Sequence, residues 1–106
     1  MPKYLFEVHY TTEGAKGVVK EGGSGRRAAT ARLIESAGGQ LESFHFAFGG
    51  VDAYIIADLP DNVTAAAAVL AANQTGAVAT RTVVLLTPED MDAVAGKALD
   101  YRPPGH

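Results

Sequence analysis

The chain reads as an α+β protein built around one four-stranded antiparallel sheet. Three observations predict this. Residues 3–10 and 44–56 alternate apolar and polar side chains with the two-residue period of half-buried strands. Residues 25–37 and 63–72 place apolar side chains at helical spacing behind capping residues. The elements follow in the order β-α-β-β-α-β plus a terminal helix, the split βαβ or ferredoxin-like pattern. That order predicts helices on one face of the sheet and leaves the other face open.

The first strand spans about Lys3 to Tyr10. Tyr4, Phe6 and Val8 share one face, and Leu5, Glu7 and His9 share the other. One side is therefore apolar and one mixed. Thr11-Thr12-Glu13-Gly14 opens a short helical segment through Lys20, with Thr11 or Thr12 as its cap. Gly22-Gly23-Ser24-Gly25 should interrupt it as a flexible connection. Ser24 then caps a longer helix over 25–37, which Gly38-Gly39 ends. Thr30, Leu33, Ile34 and Ala37 form the inward stripe. Arg26 extends that stripe, either as a snorkelling cation or as an anion contact. The glycine-rich run matches neither phosphate-loop fingerprint.

Strands over 40–48 and 51–58 follow, with Gly49-Gly50 as a two-residue turn, since glycine reaches positive φ without steric cost, and a longer turn with a bulge as the alternative. This register sets Phe46 opposite Ala53 and His45 opposite Tyr54. One face carries Phe44, Phe46, Phe48, Val51, Ala53 and Ile55. The other carries His45, Ala47, Asp52, Tyr54 and Ile56. Leu59-Pro60-Asp61-Asn62 starts the next helix, with Asp61 or Asn62 as cap and Val63, Ala66, Ala67 and Leu70 as one stripe. Alanine and valine fill most of its remaining surface. A helix apolar nearly all round wants burial on more than one side, and a second subunit is the simplest source. Thr75-Gly76 closes it, and residues 77–86 read as the fourth strand. Thr87-Pro88-Glu89-Asp90 begins the last helix with favourable capping chemistry, and Met91, Val94, Ala95 and Ala98 are expected to face inward. The tail 101–106, with Pro103-Pro104, should lie extended on a surface.

Composition limits the function classes. The 106 residues suit a single domain, 1–106, with one modest core. A net charge of −3, with Arg26-Arg27 as the only adjacent basic pair, argues against nucleic acid as a partner. The absence of cysteine excludes disulfides, thiolate metal sites and a cysteine nucleophile. Residues 1–8 lack the apolar core of a signal peptide, and no apolar run is long enough to cross a bilayer. A cytoplasmic protein without membrane association is expected. No dinucleotide fingerprint or nucleophile elbow is present, so no cofactor is expected.

The same segments carry a resemblance. Tyr4 to Gly14 (YLFEVHYTTEG), Gly38-Gly39, Phe48-Gly49-Gly50-Val51-Asp52, Leu59-Pro60-Asp61, Leu85-Leu86-Thr87-Pro88-Glu89 and Tyr101-Arg102-Pro103-Pro104-Gly105 together resemble the GYD domain family, small bacterial proteins of the dimeric α/β-barrel kind. The eponymous Gly-Tyr-Asp stands here as Gly50-Val51-Asp52, without the tyrosine. The resemblance implies a ferredoxin-like fold and oligomerisation through sheets. It implies no particular activity, because structural relatives include cofactor-free monooxygenases, isomerases and haem proteins.

Candidate chemistry lies on the mixed face. His45 and Tyr54 are cross-strand neighbours, with Asp52 two residues from Tyr54 on the same face. An imidazole beside a carboxylate suits acid–base work. The competing reading is a hydrogen-bonded polar cluster at a subunit interface. His9 and Glu7 share this face on strand one, and His9 is expected about two strand spacings, roughly 10 Å, from His45. Arg81 on strand four adds a cation if its face is the mixed one. No His-x-His or His-x-x-x-His spacing supports a metal site. The expected function is a homo-oligomeric small-molecule-binding protein with a pocket on the open face. Self-association runs through that face and the alanine-rich helix. The ligand-binding residues are His9, His45, Asp52, Tyr54, Glu7 and Arg81. One alternative is a cofactor-independent monooxygenase- or isomerase-type enzyme with His45 or His9 as proton shuttle. The other is an assembly protein without a ligand.

Overall fold

A computed structural model describes residues 1–106. The elements are β1 (Lys3–Tyr10), α1 (Thr12–Ser36), β2 (Gln40–Phe46), β3 (Ala53–Asp58), α2 (Asn62–Asn73), β4 (Val78–Leu85) and α3 (Pro88–Ala95). The strands form one antiparallel sheet in the order β2-β3-β1-β4. This is the ferredoxin-like α+β arrangement that the element order predicts. No helix is long and apolar enough to cross a membrane.

Strand parity places the core as expected. Tyr4, Phe6 and Val8 on β1, with Ala53, Ile55 and Ala57 on β3, are buried beneath Ile34 of α1 and Ala65 of α2. The Tyr4 hydroxyl, the polar atom of the largest buried side chain, donates to Asn62 Oδ1 at 2.6 Å. Asp61 caps α2 by accepting from Thr64 N at 2.8 Å, and Thr11 caps α1 by accepting from Gly14 N at 3.2 Å. At the end of α1, Gly38 takes φ 83° while Gly39 N donates to Ile34 O and Gly38 N to Glu35 O. This Schellman arrangement satisfies the last carbonyls of the helix.

Four expectations are corrected. The glycine-rich run does interrupt the helix, but only at Gly22, whose φ of 81° and ψ of 165° are accessible essentially to glycine alone; two helical segments meet there at a kink, Gly23-Ser24-Gly25 are helical rather than a loop, and Ser24 is not the cap. The hairpin keeps the expected register, Phe46↔Ala53 and His45↔Tyr54, but lacks the two-residue turn. Residues 47–52 form the connection, Gly49 and Gly50 avoid positive φ, and Phe48 is fully exposed. Asp52 bridges two neighbours, its N–H donating to Val8 O of β1 at 2.9 Å and its carbonyl accepting from Ala47 N at 2.8 Å, so the hairpin contact reaches Ala47–Asp52 and the chain turns over 48–51. β2 also bulges at Glu42. Leu41 pairs with Ala57 and Ser43 with Ile56, so Leu41 and Phe44, three residues apart, both reach the helical side.

The two remaining corrections concern helices. α2 packs Ala65 and Ala68 against the sheet, while Val63, Ala66, Ala67 and Leu70 point outward. Alanine on every side leaves the apolar pattern without direction, so the fit to the sheet chose the face. α3 buries nothing, and Met91 and Val94 are about half exposed. The C-terminal segment projects from the body. The radius of gyration is 16.8 Å, against about 13 Å for a compact chain of this length.

Candidate functional site

The open face of the sheet is ordered in transverse rows, because antiparallel register sets one residue of each strand beside the next. His45 of β2 lies opposite Tyr54 of β3, Tyr54 opposite Glu7 of β1, and Glu7 opposite Arg81 of β4. A single polar row thus crosses all four strands. Directly opposite positions are about 5 Å apart, close enough for each side chain to reach its neighbour. The adjacent row is Ser43, Ile56, Leu5 and Val83, which is apolar but for the serine. Beyond it, Lys3 is held by Glu42 and by Asp58 at 3.0 Å. Hydrogen bonds to those two carboxylates raise the Lys3 ammonium above its ordinary pKa.

Four of the six expected site residues, Glu7, His45, Tyr54 and Arg81, share the polar row. His9 lies two residues further along β1, opposite Ala79, so its nearest cross-strand neighbour offers no titratable group. Asp52 is engaged elsewhere. Its carboxylate accepts from Tyr10 N at 2.8 Å and lines a cavity of about 330 Å³ with Tyr10, Val18 and Phe46. That bond closes the end of β1 after its last pairing with β3. No three histidine, aspartate or glutamate side chains gather as a metal-binding group.

The helical side carries a second polar cleft, of about 230 Å³, that sequence reasoning did not assemble. Tyr10, Glu21 and Arg26 converge there, with the Arg26 guanidinium donating to Glu21 Oε1 at 3.4 Å. Gly14 and Gly17 keep its α1 wall low. Burial raises the Tyr10 phenol above its ordinary pKa, and the Arg26 guanidinium opposes that shift. Arg26 lies on the inward stripe as expected, but its head is paired with Glu21. The signal for this cleft was the parity of Tyr10 with Tyr4, Phe6 and Val8. Its partners Glu21 and Arg26 stand on either side of the Gly22 break, across which helical spacing is uninformative.

The fold and the face together define a class: a small α+β domain with helices on one side of its sheet and an uncovered, mixed polar and apolar surface on the other. Residues 4–95 match the GYD domain family, and the chain belongs to it. The matched region runs to the last residue of α3. No curated protein and no solved structure matches the chain.

Proposed function

We propose that this GYD-domain protein is a homo-oligomeric small-molecule-binding protein whose pocket forms where a second copy closes over the open sheet face. The row His45–Tyr54–Glu7–Arg81 carries the reading. It sets hydrogen-bonding and charged groups along the edge of an apolar strip made by Leu5, Ile56 and Val83. In a single chain this face holds no cavity, and all five concavities lie on the helical side or at its margins. Enclosure of a ligand therefore needs a lid from another copy. The outward stripe Val63, Ala66, Ala67 and Leu70 of α2 supplies a further apolar surface for association.

A small aromatic carboxylate suits the face. Arg81 would take the carboxylate, the apolar strip the ring, and Tyr54 and His45 a hydroxyl. Benzoate and salicylate are the first probes. A saturable rise in melting temperature is expected, abolished in Arg81→Ala and weakened in His45→Ala, with the mass by light scattering unchanged. No rise with either probe, or an equal rise in both variants, overturns the reading for this ligand class.

One observation favours a second reading, acid–base catalysis without a cofactor. His45, Tyr54 and Glu7 are contiguous across three strands, a path along which a proton could pass. Turnover of a phenolic substrate that persists unchanged in His45→Ala removes it.

A further inference from the structure

In an unbroken α-helix, side chains five residues apart point about 140° away from each other around the axis, at 3.6 residues per turn. Glu21 and Arg26 are five apart on α1, yet the Arg26 guanidinium donates to Glu21 Oε1. The break at Gly22 lies between them and turns the two segments so that both side chains line one cleft, that of about 230 Å³ on the helical side. The rest of its lining is mostly small. Gly14 and Gly17 come from α1, Ala72 from α2, and Ala77 and Val78 from the start of β4. A Cβ built on Gly17 meets nothing within 4 Å, so this part of the wall stays open.

The ion pair in the cleft is loose. Its 3.4 Å separation exceeds the roughly 2.7–3.2 Å of ordinary N–H···O bonds. A guanidinium presents several donors in a planar fork, and this is the one hydrogen bond Arg26 makes, although its side chain is only 30% exposed. A cation partly withdrawn from water with most of its donors idle favours an acceptor that engages two of them, as a carboxylate does. Tyr10 stands beside Arg26. Burial keeps its phenol protonated at neutral pH, as a further donor to the same acceptor.

We infer that this cleft binds an α-amino acid with a short aliphatic side chain, its carboxylate on Arg26 and its ammonium on Glu21. Charge selects the class. Arg26 and Glu21 sum to zero, so a simple anion meets the like charge of Glu21 and a simple cation that of Arg26. A ligand carrying both signs on one carbon satisfies both. Glu13, the remaining charged residue of the lining, is largely exposed and paired with Lys16 at 3.6 Å. Gly17, Ala72, Ala77 and Val78 offer the apolar surface for the side chain. The volume lies below the roughly 300–1,000 Å³ of sites for drug-sized ligands, which limits the guest to a small metabolite. The site is separate from the open sheet face and needs no second copy.

Isothermal titration calorimetry with L-leucine tests the inference. Two half-ligands accompany it: 4-methylpentanoate, which lacks the ammonium, and 3-methylbutylamine, which lacks the carboxylate. Saturable binding of L-leucine is expected, with each half-ligand weaker by roughly tenfold or more, the worth of one lost charge-assisted hydrogen bond. Gly17→Leu should fill the cleft and abolish the heat, with circular dichroism as the folding control. Glu21→Gln should weaken L-leucine by a similar factor while the binding of 4-methylpentanoate does not fall. If Gly17→Leu loses its fold, Glu21→Gln decides alone. Absence of saturable L-leucine binding overturns the inference, and so does equal binding of 4-methylpentanoate. Binding that survives Gly17→Leu and is lost in Arg81→Ala also overturns it, because the ligand then sits on the open face, and the pocket proposed there stands.

Discussion

Gly14 and Gly17 lie one turn apart on α1 and should respond oppositely to the same substitution. A Cβ on Gly14 would meet Ala77 O at 1.9 Å, a backbone atom that cannot step aside, whereas a Cβ on Gly17 meets nothing within 4 Å. Gly14→Ala should therefore lose about 1–3 kcal/mol through overpacking. Gly17→Ala should gain about 0.5–1 kcal/mol from helix propensity. Urea unfolding of the two variants measures both signs, and a neutral Gly14→Ala would refute the close approach. The approach itself is reinforced by Thr11, whose N–H donates to Ala77 O at 3.0 Å and whose hydroxyl donates to Gly76 O at 2.7 Å. At this scale the sequence is legible where parity governs. Glu7, His45, Tyr54 and Arg81 reach one face because each strand alternates. Asp52 is not legible, because its partner, Tyr10 N, is 42 positions away and no local pattern selects it.

Among the elements, α2 shows how a cap and a face differ in legibility. Asp61 is a local signal and caps as expected. The hydrogen bond from Thr64 N holds its carboxyl below the ordinary carboxylate pKa. With the folded pKa below the unfolded one, Asp61 stabilises the fold above the ordinary carboxylate range, near pH 3.9, and the contribution is lost as pH falls through the lowered value. Asp61→Asn should thus melt below wild type at neutral pH, with the gap narrowing on acidification through that window. A gap constant with pH would show that charge plays no part. The buried face of α2 is a tertiary choice, since its alanines distinguish no direction. In α1 the second-half stripe of Thr30, Leu33, Ile34 and Ala37 does face inward, because polar residues flank it and leave one solution.

The whole molecule measures 56 Å along its longest axis against 23 Å along its shortest. That elongation comes from a C-terminal arm that the body does not bury. If copies associate, folding and association are linked, and stability must depend on concentration. The melting temperature should rise with chain concentration in the wild type. Scanning calorimetry over a dilution series checks this, and a concentration-independent transition at every dilution would mean that each chain is stable alone. The expectation that α3 turns its apolar side inward follows from a sound amphipathic pattern. It fails because a pattern states that a face seeks cover without stating whose.

By itself the sequence determined the element order, the parity of β1 and β3, the cap at Thr87, the choice of caps down to Thr11 or Thr12 and Asp61 or Asn62, and the pairing of His45 with Tyr54. All of these depend on neighbours close along the chain or on the period of one strand. Tertiary structure alone decided the polar row through Glu7 and Arg81, the engagement of Asp52 by β1, the face of α2 and the exposure of the arm. These require the register between strands joined by long crossovers and the fit of one surface to another. Neither quantity is encoded in local periodicity, because both are settled by packing among residues far apart in the chain.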